Sequence, residues 1–472
     1  MNKKRLAKIY TGIFAVFLSL LILFFFLAGE QIKYRDGQNV INVTEATGST
    51  VELTQGVLVE QLFVSDIDRL KSVSFLCTTH YRDNTGYLNV VLKCGNKVLI
   101  EEIVSVADIK ENVPVVVEAD EYLEGYRGKQ LTLLISATSK EGKAISVLLD
   151  SASTAGVSLY VGQHKQGSIC FSTSGQDFVF TGQHYWQMVA VLSAALALGL
   201  FFSYKHYEKT NKDYIVSVIL AMERYEFLIS QLVSRDFKTK YKRSVLGVFW
   251  SFLNPLLTMT VQYIVFSTLF RNDIANYPVY LLTGIICFSF FNEVTNMCLS
   301  SITGNANLVK KVYMPRYIFP ISRTISSSIN LAISLIPLLL VSLLTGVALR
   351  KSIVLMLFFL VCLVIFSLGV GMFLSATMVF FRDIQFLWSV VVMMWQYGTP
   401  IFYSPSIIPA RFSFILKFNP IYHFIKNARM CLIDGISPEP RAYAICFVFA
   451  LLSLLVGSIV FKKTQDSFTL YL

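Results

Sequence analysis

The sequence has few charged residues and no motif of a catalytic centre. Asp, Glu, Lys and Arg make up 15% of its 472 residues. It contains no HExxH pair, no serine nucleophile elbow and no paired carboxylates in a plausible pocket. The GYRGK run at residues 125–129 lacks the spacing of a phosphate-binding loop. These absences predict a chain that is not an enzyme, has no catalytic residues, binds no metal or cofactor and does not itself hydrolyse ATP.

Cysteine is also sparse. The eight cysteines include no CxxC, and five lie in apolar stretches, where they act as small hydrophobic residues. Cys77, Cys94 and Cys170 fall in a more polar region, where an odd number allows at most one internal disulfide. Cys77 and Cys94 are candidates for diagonal neighbours in a hairpin, and the disulfide state stays open.

What the chain has in quantity is hydrophobic sequence. Hydrophobic residues make up 54% of the chain and the mean hydropathy is +0.58, which predicts an integral membrane protein. The net charge of +11 is unevenly placed, because residues 30–184 hold 19 Asp and Glu against 13 Lys and Arg. The positive charge therefore lies beside the apolar stretches, as cytoplasmic flanks of membrane helices require. No basic fold motif accompanies it, so nucleic acid is not an expected partner.

The apolar stretches predict about eight membrane crossings, with both termini cytoplasmic and the protein in the plasma (inner) membrane. Residues 1–29 form a membrane anchor with a basic start, for which a cleaved signal peptide is the alternative. Residues 186–205 form a second anchor helix, and residues 241–472 form a six-helix core. The predicted spans of that core are residues 248–270, 277–292, 317–349, 352–381, 384–403 and 442–461. The stop at Glu293 is weak, so the second of these spans is open to extension to residue 299.

Between the two anchor helices, residues 30–185 change character and predict an extracytoplasmic all-β sandwich. Alternating stretches at residues 73–77, 87–92, 113–117, 131–136 and 145–149 are separated by turn clusters. The order of a hairpin, a long connection and then GKQLTLLIS at residues 128–136 resembles jelly-roll carbohydrate-binding modules. The resemblance implies glycan contacts through stacking aromatic rings, and the alternative is a structural cap with packing tyrosines. The candidate tyrosines are Tyr81, Tyr87, Tyr122 and Tyr126.

Residues 206–240 lead into the core and include an amphipathic pattern. From residue 214 to residue 240, apolar residues recur at three- and four-residue spacing while charged residues lie on the other face. A membrane span follows directly, so we expect an interfacial helix on the cytoplasmic side.

The sequence RDFKTKYKRSVLGVFWSFLNPLL, which begins at residue 235, closely resembles the first segment of permease subunits of ABC-type polysaccharide exporters. Two further stretches resemble the same family in the same order. They are NANLVKKVYMPR at residues 305–316, and FRDI at residues 381–384 followed by TPIFY at 399–403 and NP at 419–420. The resemblance covers roughly residues 214–472. It implies a homodimeric permease that exports a polyprenyl-pyrophosphate-linked glycan, such as O-antigen or teichoic acid, with ATP and Mg²⁺ bound by two separate ATPase subunits.

The family resemblance also places functional segments on this chain. Its coupling helix, which contacts the ATPase, corresponds to residues 305–316, where Pro315 prevents an unbroken helix. As an alternative, Lys310 and Lys311 serve only as topology signals in a solvated loop. The expected coupling residues are Asn305, Asn307, Leu308, Lys310, Lys311, Pro315 and Arg316.

The short basic segment before the first core span is a candidate entrance for the pyrophosphate. Cations just before a helix start suit an anionic head group, Gly247 lets backbone approach closely, and Leu246 is a candidate gate. The expected entrance residues are Lys242, Arg243, Ser244, Leu246 and Gly247.

A sugar chain crossing the membrane needs a path of aromatic faces and hydroxyl groups, although aromatic residues in spans also serve as lipid-facing belts or packing residues. Arg323 lies inside an apolar span and indicates function or internal pairing, because an isolated charge there is costly. The candidate path residues are Trp250, Asn254, Tyr263, Phe266, Trp388, Trp395, Tyr397 and Tyr403.

Three alternatives stay open at this point. The first is an ABC exporter of a drug or a lipid. The second is a membrane-embedded glycan polymerase or glycosyltransferase, which needs clustered catalytic carboxylates, yet only 11 of the 30 Asp and Glu lie outside residues 30–184. The third is a secondary transporter, which needs a buried carboxylate chain for ion coupling.

Overall fold

The structure is a computed structural model that describes residues 3–41, 46–150, 158–161, 164–210, 214–242, 246–270, 274, 276–311 and 314–471. It divides into two compact units. A helical unit comprises Met1–Ile32 and Trp186–Leu472, and a β unit comprises Lys33–Tyr185. The predicted fold class, a helical membrane protein with a β-sheet-rich region near the N-terminus, is confirmed.

The α-helices, numbered in chain order, include long membrane helices and short connecting ones. They are α1 (Lys3–Ala28), α2 (Phe180–Gln183), α3 (Tyr185–Thr210), α4 (Tyr214–Tyr241), α5 (Phe249–Phe270), α6 (Tyr277–Leu299), α7 (Ala306–Lys311), α8 (Ile318–Leu344), α9 (Ile353–Phe380), α10 (Ile384–Tyr397), α11 (Ser413–Phe418), α12 (Pro420–Arg429), α13 (Pro440–Thr464) and α14 (Phe468–Tyr471). Short 3-10 helices occupy Gly29–Ile32, Val106–Asp108, Thr303–Asn305, Pro405–Ile407, Ala410–Phe412 and Gln465–Ser467, and a π-helix occupies Met430–Asp434.

Among the described residues, seven helices are long and apolar enough to cross a membrane: α1, α3, α5, α6, α8, α9 and the helical stretch that starts with α13. The span expected at residues 384–403 instead contains α10, a helix of 14 residues. About 20 residues are needed to cross the hydrocarbon core. The helix ends before Gly398-Thr399-Pro400, since the residue before a proline disfavours helical geometry. In contrast, α6 continues past Glu293 to Leu299, as the longer interpretation of that span required.

Helices α1 and α3 form an antiparallel pair. The Tyr10 hydroxyl and the Ser203 hydroxyl lie 2.6 Å apart, near the start of α1 and towards the end of α3. At the opposite ends, the rings of Phe25 and Trp186 have centroids 5.0 Å apart. The start of α1 and the end of α3 therefore lie on the same side of the helical unit.

Elsewhere in the helical unit, α9 and α13 approach so closely that their glycines are required. A Cβ atom on Gly457 would overlap the backbone of Gly369, and one on Gly369 would overlap the backbone at Ser453. Small residues at such crossings let membrane helices pack backbone to backbone. Helices α9 and α13 therefore pack with their backbones in close contact at this crossing.

The β unit consists of two antiparallel sheets. Its strands are β1 (Tyr34–Ile41), β2 (Gly48–Ser49), β3 (Leu58–Val64), β4 (Arg69–Thr78), β5 (Tyr87–Cys94), β6 (Lys97–Ser105), β7 (Pro114–Glu124), β8 (Gln130–Ala137), β9 (Ser146–Asp150), β10 (Ser158–Val161), β11 (His164–Gln166), β12 (Ser168–Ile169) and β13 (Phe171–Phe178). One sheet has the order β1-β13-β4-β9-β12, with β7 also on β4 and β2 on β9, and the other has the order β11-β10-β3-β8-β5-β6. The five predicted strands correspond to β4, β5, β7, β8 and β9.

Alternating residues of both sheets face a shared core, which holds the β unit together. The rings of Phe63 on β3 and Phe171 on β13 meet there with centroids 5.0 Å apart, and both side chains are fully buried. The hairpin pairing considered for Cys77 and Cys94 is wrong, because Cys77 lies on β4 in one sheet and Cys94 on β5 in the other. Both thiols are free in this structure.

Candidate functional site

A cavity of about 320 Å³ lies between α5, α6 and α8, with the end of α4 at its edge. Its wall is unusually polar for membrane helices, and it includes two aromatic rings. The residues that line it are Lys240, Trp250, Ser251, Asn254, Pro255, Thr258, Ile285, Ile286, Ser289, Phe290, Glu293, Ser327, Asn330, Leu331 and Ser334. Residues 327, 330 and 334 recur at helical spacing, which directs all three side chains of α8 to the same face.

Glu293 is the centre of the hydrogen bonds in this cavity. The Lys240 ammonium lies 2.9 Å from its carboxylate, the Asn330 amide donates to the same oxygen at 2.8 Å, and the Ser327 hydroxyl donates to it at 3.3 Å. A carboxylate within a membrane helix is costly unless it is paired and hydrogen-bonded, and here it is both. The carboxylate thereby joins α4, α6 and α8.

A second ion pair lies one helical turn earlier on α4. The Arg323 guanidinium on α8 is 2.9 Å from the carboxylate of Asp236, which is buried. Asp236 and Lys240 are four residues apart and so share one face of α4. The structure thus pairs the charge of Arg323 inside the protein, and two oppositely oriented ion pairs fasten α4 to the core.

The neighbouring segment, from Thr303 to Lys311, is attached to α4 as well. Arg235 donates to the side-chain oxygen of Asn305 at 3.2 Å, and the Asn305 amide donates to the carbonyl of Ser301 at 2.8 Å. Val309 packs into an apolar cluster that also contains Leu232 of α4. The structure therefore joins this segment and α4 through both polar and apolar contacts.

The residues expected to couple to an ATPase occupy different environments. Asn307, Lys310 and Lys311 are exposed, Leu308 is half-buried against the apolar cluster, and Asn305 is buried. Beyond them, the Pro315 carbonyl accepts from the amide of Ile318 at the start of α8, and Arg316 donates to the carbonyl of Gln465. The exposed face of α7 is thus held in place by its buried neighbours.

The expected entrance residues are only partly described. Lys242 and Leu246 are exposed, whereas Arg243 and Ser244 lie outside the described residues. Gly247 has a φ of 52°, in the left-handed region that glycine adopts without strain. The carbonyls of residues 246 and 247 accept hydrogen bonds from the first amides of α5, so this turn starts the helix directly.

Of the eight expected path residues, only Trp250 and Asn254 line the cavity. Tyr263 and Phe266 lie further along α5 and contact the rings of Tyr277 and Phe402. Trp388 and Trp395 pack against the buried Phe291.

The last two, Tyr397 and Tyr403, are joined by a hydrogen bond of 2.8 Å from the hydroxyl of Tyr403 to the carbonyl of Tyr397. The structure therefore distributes the expected path residues over several places and brings two of them to the polar cavity.

The TPIFY and NP stretches build a fixed assembly around Arg429. This buried side chain donates to the carbonyls of Tyr280, Pro400 and Ile401 at 3.1, 2.7 and 3.1 Å. Asn419 accepts from the indole of Trp395 at 2.9 Å and caps the start of α12. The Arg429 side chain is therefore enclosed by backbone carbonyls inside the helical unit.

In the β unit, the four candidate tyrosines fall into two pairs. Tyr81 is 85% exposed and Tyr87 is also exposed. Tyr122 is half-buried beneath Arg69, 4.6 Å from its ring centroid, and Tyr126 is half-buried against the core with Lys129 at 5.2 Å. Tyr122 and Tyr126 thus already have cationic neighbours on their rings.

The loop that carries Tyr81 is held in an unusual backbone conformation. His80 and Tyr81 have φ values of 55° and 54°, which non-glycine residues rarely adopt. Glu111 accepts from the amide and the hydroxyl of Thr79, both at 2.6 Å. Burial raises the pKa of the Glu111 carboxyl, but these hydrogen bonds outweigh burial and hold the pKa below its usual value.

The sequence did not single out the residues at the centre of the cavity. The sequence predicts Glu293 only as the weak stop of a span, and Ser327, Asn330 and Ser334 are not among the expected site residues. The available signal was a polar residue every three or four positions along an otherwise apolar stretch. That pattern predicts a polar stripe on one face of a membrane helix.

Part of the helical unit is similar to known membrane transport proteins. The family described as ABC-2 type transporter matches residues 228–433. An O-antigen export system permease protein RfbA from Klebsiella pneumoniae is 31% identical over 243 residues, 51% of this chain and 93% of that protein. A protein of the same description from Myxococcus xanthus is 26% identical over 257 residues, 54% of this chain and 98% of that protein. The polysialic acid transport protein KpsM of Escherichia coli is 21% identical over 246 residues, 51% of this chain and 94% of that protein.

The helical fold and these matches together define a membrane-embedded permease subunit, a class that works with a separate ATPase subunit and is not itself an enzyme. The chain belongs to the ABC-2 type transporter family. The family match lies within the helical unit, so α1, α3 and the β unit are outside it.

Proposed function

We propose that this chain is the membrane subunit of an ATP-driven exporter that moves a polyprenyl-pyrophosphate-linked polysaccharide from the cytoplasm to the outer face of the plasma membrane. The relatives described as O-antigen export and polysialic acid transport proteins support a polysaccharide as the substrate. The observation that carries the proposal is that two ion pairs fasten α4 to α6 and α8, two of the helices that form the polar cavity. Movement of α4 would reach that wall without an intervening flexible loop.

The same proposal assigns the ATPase contact to the exposed face of α7 with α4 beside it. Asn307, Lys310 and Lys311 present that face, and Arg235 links it to α4 through Asn305. Two copies of this chain would form a homodimer around a central path, with one ATPase subunit beneath each copy. Closure of the ATPase subunits on ATP would then push α7 and α4 together.

The entrance for the lipid head group is proposed at residues 242–247. Its cations precede the first turn of α5, where backbone amides favour negative charge. The test exchanges Arg243 for Glu while assembly and ATP hydrolysis are monitored. Reduced glycan export with an intact complex supports the role, and undiminished export excludes it.

The orientation follows from the placement of charge. Both termini are assigned to the cytoplasm because basic residues flank the start of α1 and the end of α13. The antiparallel pairing of α1 and α3 supports a return to the same side, so the β unit inserted between them would be extracytoplasmic.

A second function is proposed for the β unit, namely contact with the exported glycan. The supporting observation is Tyr81, which is held almost fully exposed by a loop with two left-handed residues. Such strained conformations cluster at binding sites, and tyrosine rings stack on sugars. Tyr81→Ala should weaken retention of the full-length protein on the immobilised native glycan, whereas Tyr122→Ala, its matched control, should not. Equal retention of both variants and the native protein would exclude the role.

The export function is tested by deleting the chain from the cell that produces it. We expect surface glycan to disappear and lipid-linked glycan to accumulate in the cytoplasm, and tagged protein to co-purify with a nucleotide-binding chain. Unchanged surface glycan would exclude the proposal. Glycan that is no longer polymerised, rather than retained inside, would support the polymerase alternative.

A further inference from the structure

The cavity between α5, α6 and α8 has the chemistry of a sugar-binding site. Seven uncharged polar side chains face it, comprising five hydroxyls and two amides from three different helices. Several of them already hydrogen-bond to one another, to backbone carbonyls or to Glu293, and a hydroxyl group can both donate and accept, so they can also meet a sugar hydroxyl. Glu293 and Lys240 add ionisable groups, which in membrane helices mark functional sites. The seven residues are Ser251, Asn254, Thr258, Ser289, Ser327, Asn330 and Ser334.

The volume of the cavity fits a single small polar unit. The cavity volume of about 320 Å³ lies at the lower end of the roughly 300–1,000 Å³ that small-molecule sites occupy. The rings of Trp250 and Phe290 also line the space. Aromatic faces suit the C–H face of a pyranose ring, while the hydroxyl and amide groups suit its edges.

The charges of the cavity favour an uncharged ligand. Of the described residues that line it, Lys240 and Glu293 carry charge, and they form an ion pair of 2.9 Å. The pair balances the cavity to zero net charge. An acidic sugar would bring a carboxylate close to Glu293 without a further cation to offset it, whereas a sugar hydroxyl can donate to the Glu293 carboxylate directly.

We propose that this cavity binds one uncharged sugar unit of the passing glycan, and that Glu293 is the residue that discriminates against acidic sugars. The inference rests on the proposed export function and adds the substrate class. Within each subunit, Glu293 accepts hydroxyl hydrogen bonds and Lys240 balances its charge. Asn330 and Ser327 fix the position of the carboxylate.

The test uses Ser289→Cys, which is nearly isosteric and places a thiol on the cavity wall. The full complex, in lipid nanodiscs, is treated with N-iodoacetyl-glucosamine, an uncharged sugar reagent, or with the same reagent carrying a glucuronic acid ring. The thiolate displaces iodide and forms a thioether. Ile264→Cys, which is exposed on α5 away from the cavity lining, is the matched control.

We expect the uncharged reagent to label Cys at position 289 roughly tenfold faster than the acidic one, because a like charge at close range disfavours the acidic ring. Labelling should saturate with reagent concentration and should be slowed by free N-acetylglucosamine. At position 264 the two reagents should react at similar rates. Equal, non-saturating rates at position 289 would overturn the inference.

Charge exchange separates discrimination from a purely structural role of the ion pair. In Lys240→Glu with Glu293→Lys the pair is retained, but the carboxylate leaves α6. If the pair only fastens α4, export by this double variant should equal export by the native protein, and that result would overturn the inference. Our proposal predicts that export by the double variant is well below the native level. It also predicts that, in the Ser289→Cys background, the acidic reagent labels faster than the uncharged one.

The outcome is distinguishable from failure of the export function. Ser289→Cys is first tested for export in cells that lack the native chain. If this variant exports glycan but both reagents label it at similar rates, the proposed sugar site is excluded and the proposed export function stands. If surface glycan persists in cells that lack the chain, the proposed export function is excluded, whatever the labelling shows.

Discussion

Two buried arginines of the helical unit are held in different ways. Arg429 is enclosed by three backbone carbonyls, one from α6 and two from the turn that follows α10. Arg323 instead meets a side-chain carboxylate, Asp236, which belongs to α4. One arginine therefore fixes a turn within the core, and the other joins the core to a separate helix.

The difference teaches how this fold can be rigid and still transmit movement. Carbonyls of a packed turn cannot leave Arg429 without unfolding that turn, because a buried guanidinium without partners is very costly. An ion pair between two side chains can break and re-form as helices shift. Lys240 and Glu293 repeat the second arrangement one turn along α4. The side-chain ion pairs through which movement is proposed to pass therefore lie along α4.

The largest expected effect comes from Arg429→Leu. Three buried carbonyls would lose their donor, and we expect a loss of about 3–5 kcal/mol in the free energy of unfolding, enough to prevent assembly. The measurement is thermal unfolding in detergent with size-exclusion analysis. Lys426→Gln on the exposed side of α12 is the control and should unfold within about 0.5 kcal/mol of the native protein. Native-like unfolding of the Arg429 variant would contradict the fixed role.

A smaller loss of stability and a larger loss of function are expected for Asp236→Asn. Arg323 keeps 21% of its side-chain surface exposed, so water can partly replace the lost carboxylate. We expect about 2 kcal/mol of destabilisation and roughly tenfold lower export by complexes that still assemble. Export is measured as surface glycan per assembled complex.

Exchange of the pair, Asp236→Arg with Arg323→Asp, should recover part of the export lost in Asp236→Asn, because the joint is restored with reversed charge. The double variant is compared with Asp236→Arg alone and Arg323→Asp alone. If its loss of export equals the combined losses of these two single variants, the pair transmits nothing.

The third prediction concerns the exposed face of α7. Lys310→Glu combined with Lys311→Glu should weaken binding of the ATPase subunit by roughly tenfold at low salt, and the difference should shrink at high salt because exposed charges are screened. Folding should be unaffected, since both side chains are exposed. Lys351→Glu, exposed in a different connection, is the matched control. If both variants bind the ATPase subunit equally well, α7 is excluded as the ATPase contact.

The smallest effect extends the comparison to the β unit, where Glu111 is held by the amide and hydroxyl of Thr79. Its pKa is lowered in the folded state, so its stabilising contribution is present above the pKa of the unfolded chain and is lost as pH falls through the folded value. Hydrogen exchange of residues 79–84 should therefore rise, beyond the intrinsic pH effect, as the pH falls below the ordinary pKa of a glutamate carboxyl.

Glu111→Gln should show raised exchange in residues 79–84 already at neutral pH. Exchange that is the same in the native protein and in the variant at both pH values would contradict the role of Glu111 in holding the Tyr81 loop.

Much of this architecture could be predicted from the sequence, because membrane spans and alternating strands leave strong periodic patterns. Residues 73–77 and 131–136 predicted strands that the structure contains as β4 and β8. The short α10 was overestimated, since apolar composition alone does not reveal that Pro400 turns the chain back.

The candidate site was harder to predict, because it depends on which helices meet. The sequence identified Arg323 as a costly charge, but its partner Asp236 lies 87 positions away on another helix. Glu293 and Asn330 form their hydrogen bond only because α6 and α8 pack together, and the sequence does not show that packing. The carbonyls that enclose Arg429 come from turns that are distant in the sequence, so the sequence does not indicate that this side chain is buried. Long-range packing decides such roles, and periodicity does not record it.

The most direct test of the account is transport by purified components. The native complex with its ATPase subunit is placed in liposomes, lipid-linked glycan is supplied in the outer leaflet on the ATPase side, and glycan reaching the lumen is measured. We predict transport that requires ATP and the ATPase subunit and falls roughly tenfold with Asp236→Asn. Transport without ATP or without the ATPase subunit, or undiminished transport by the Asp236 variant, would contradict the central claim that movement of α4 drives export.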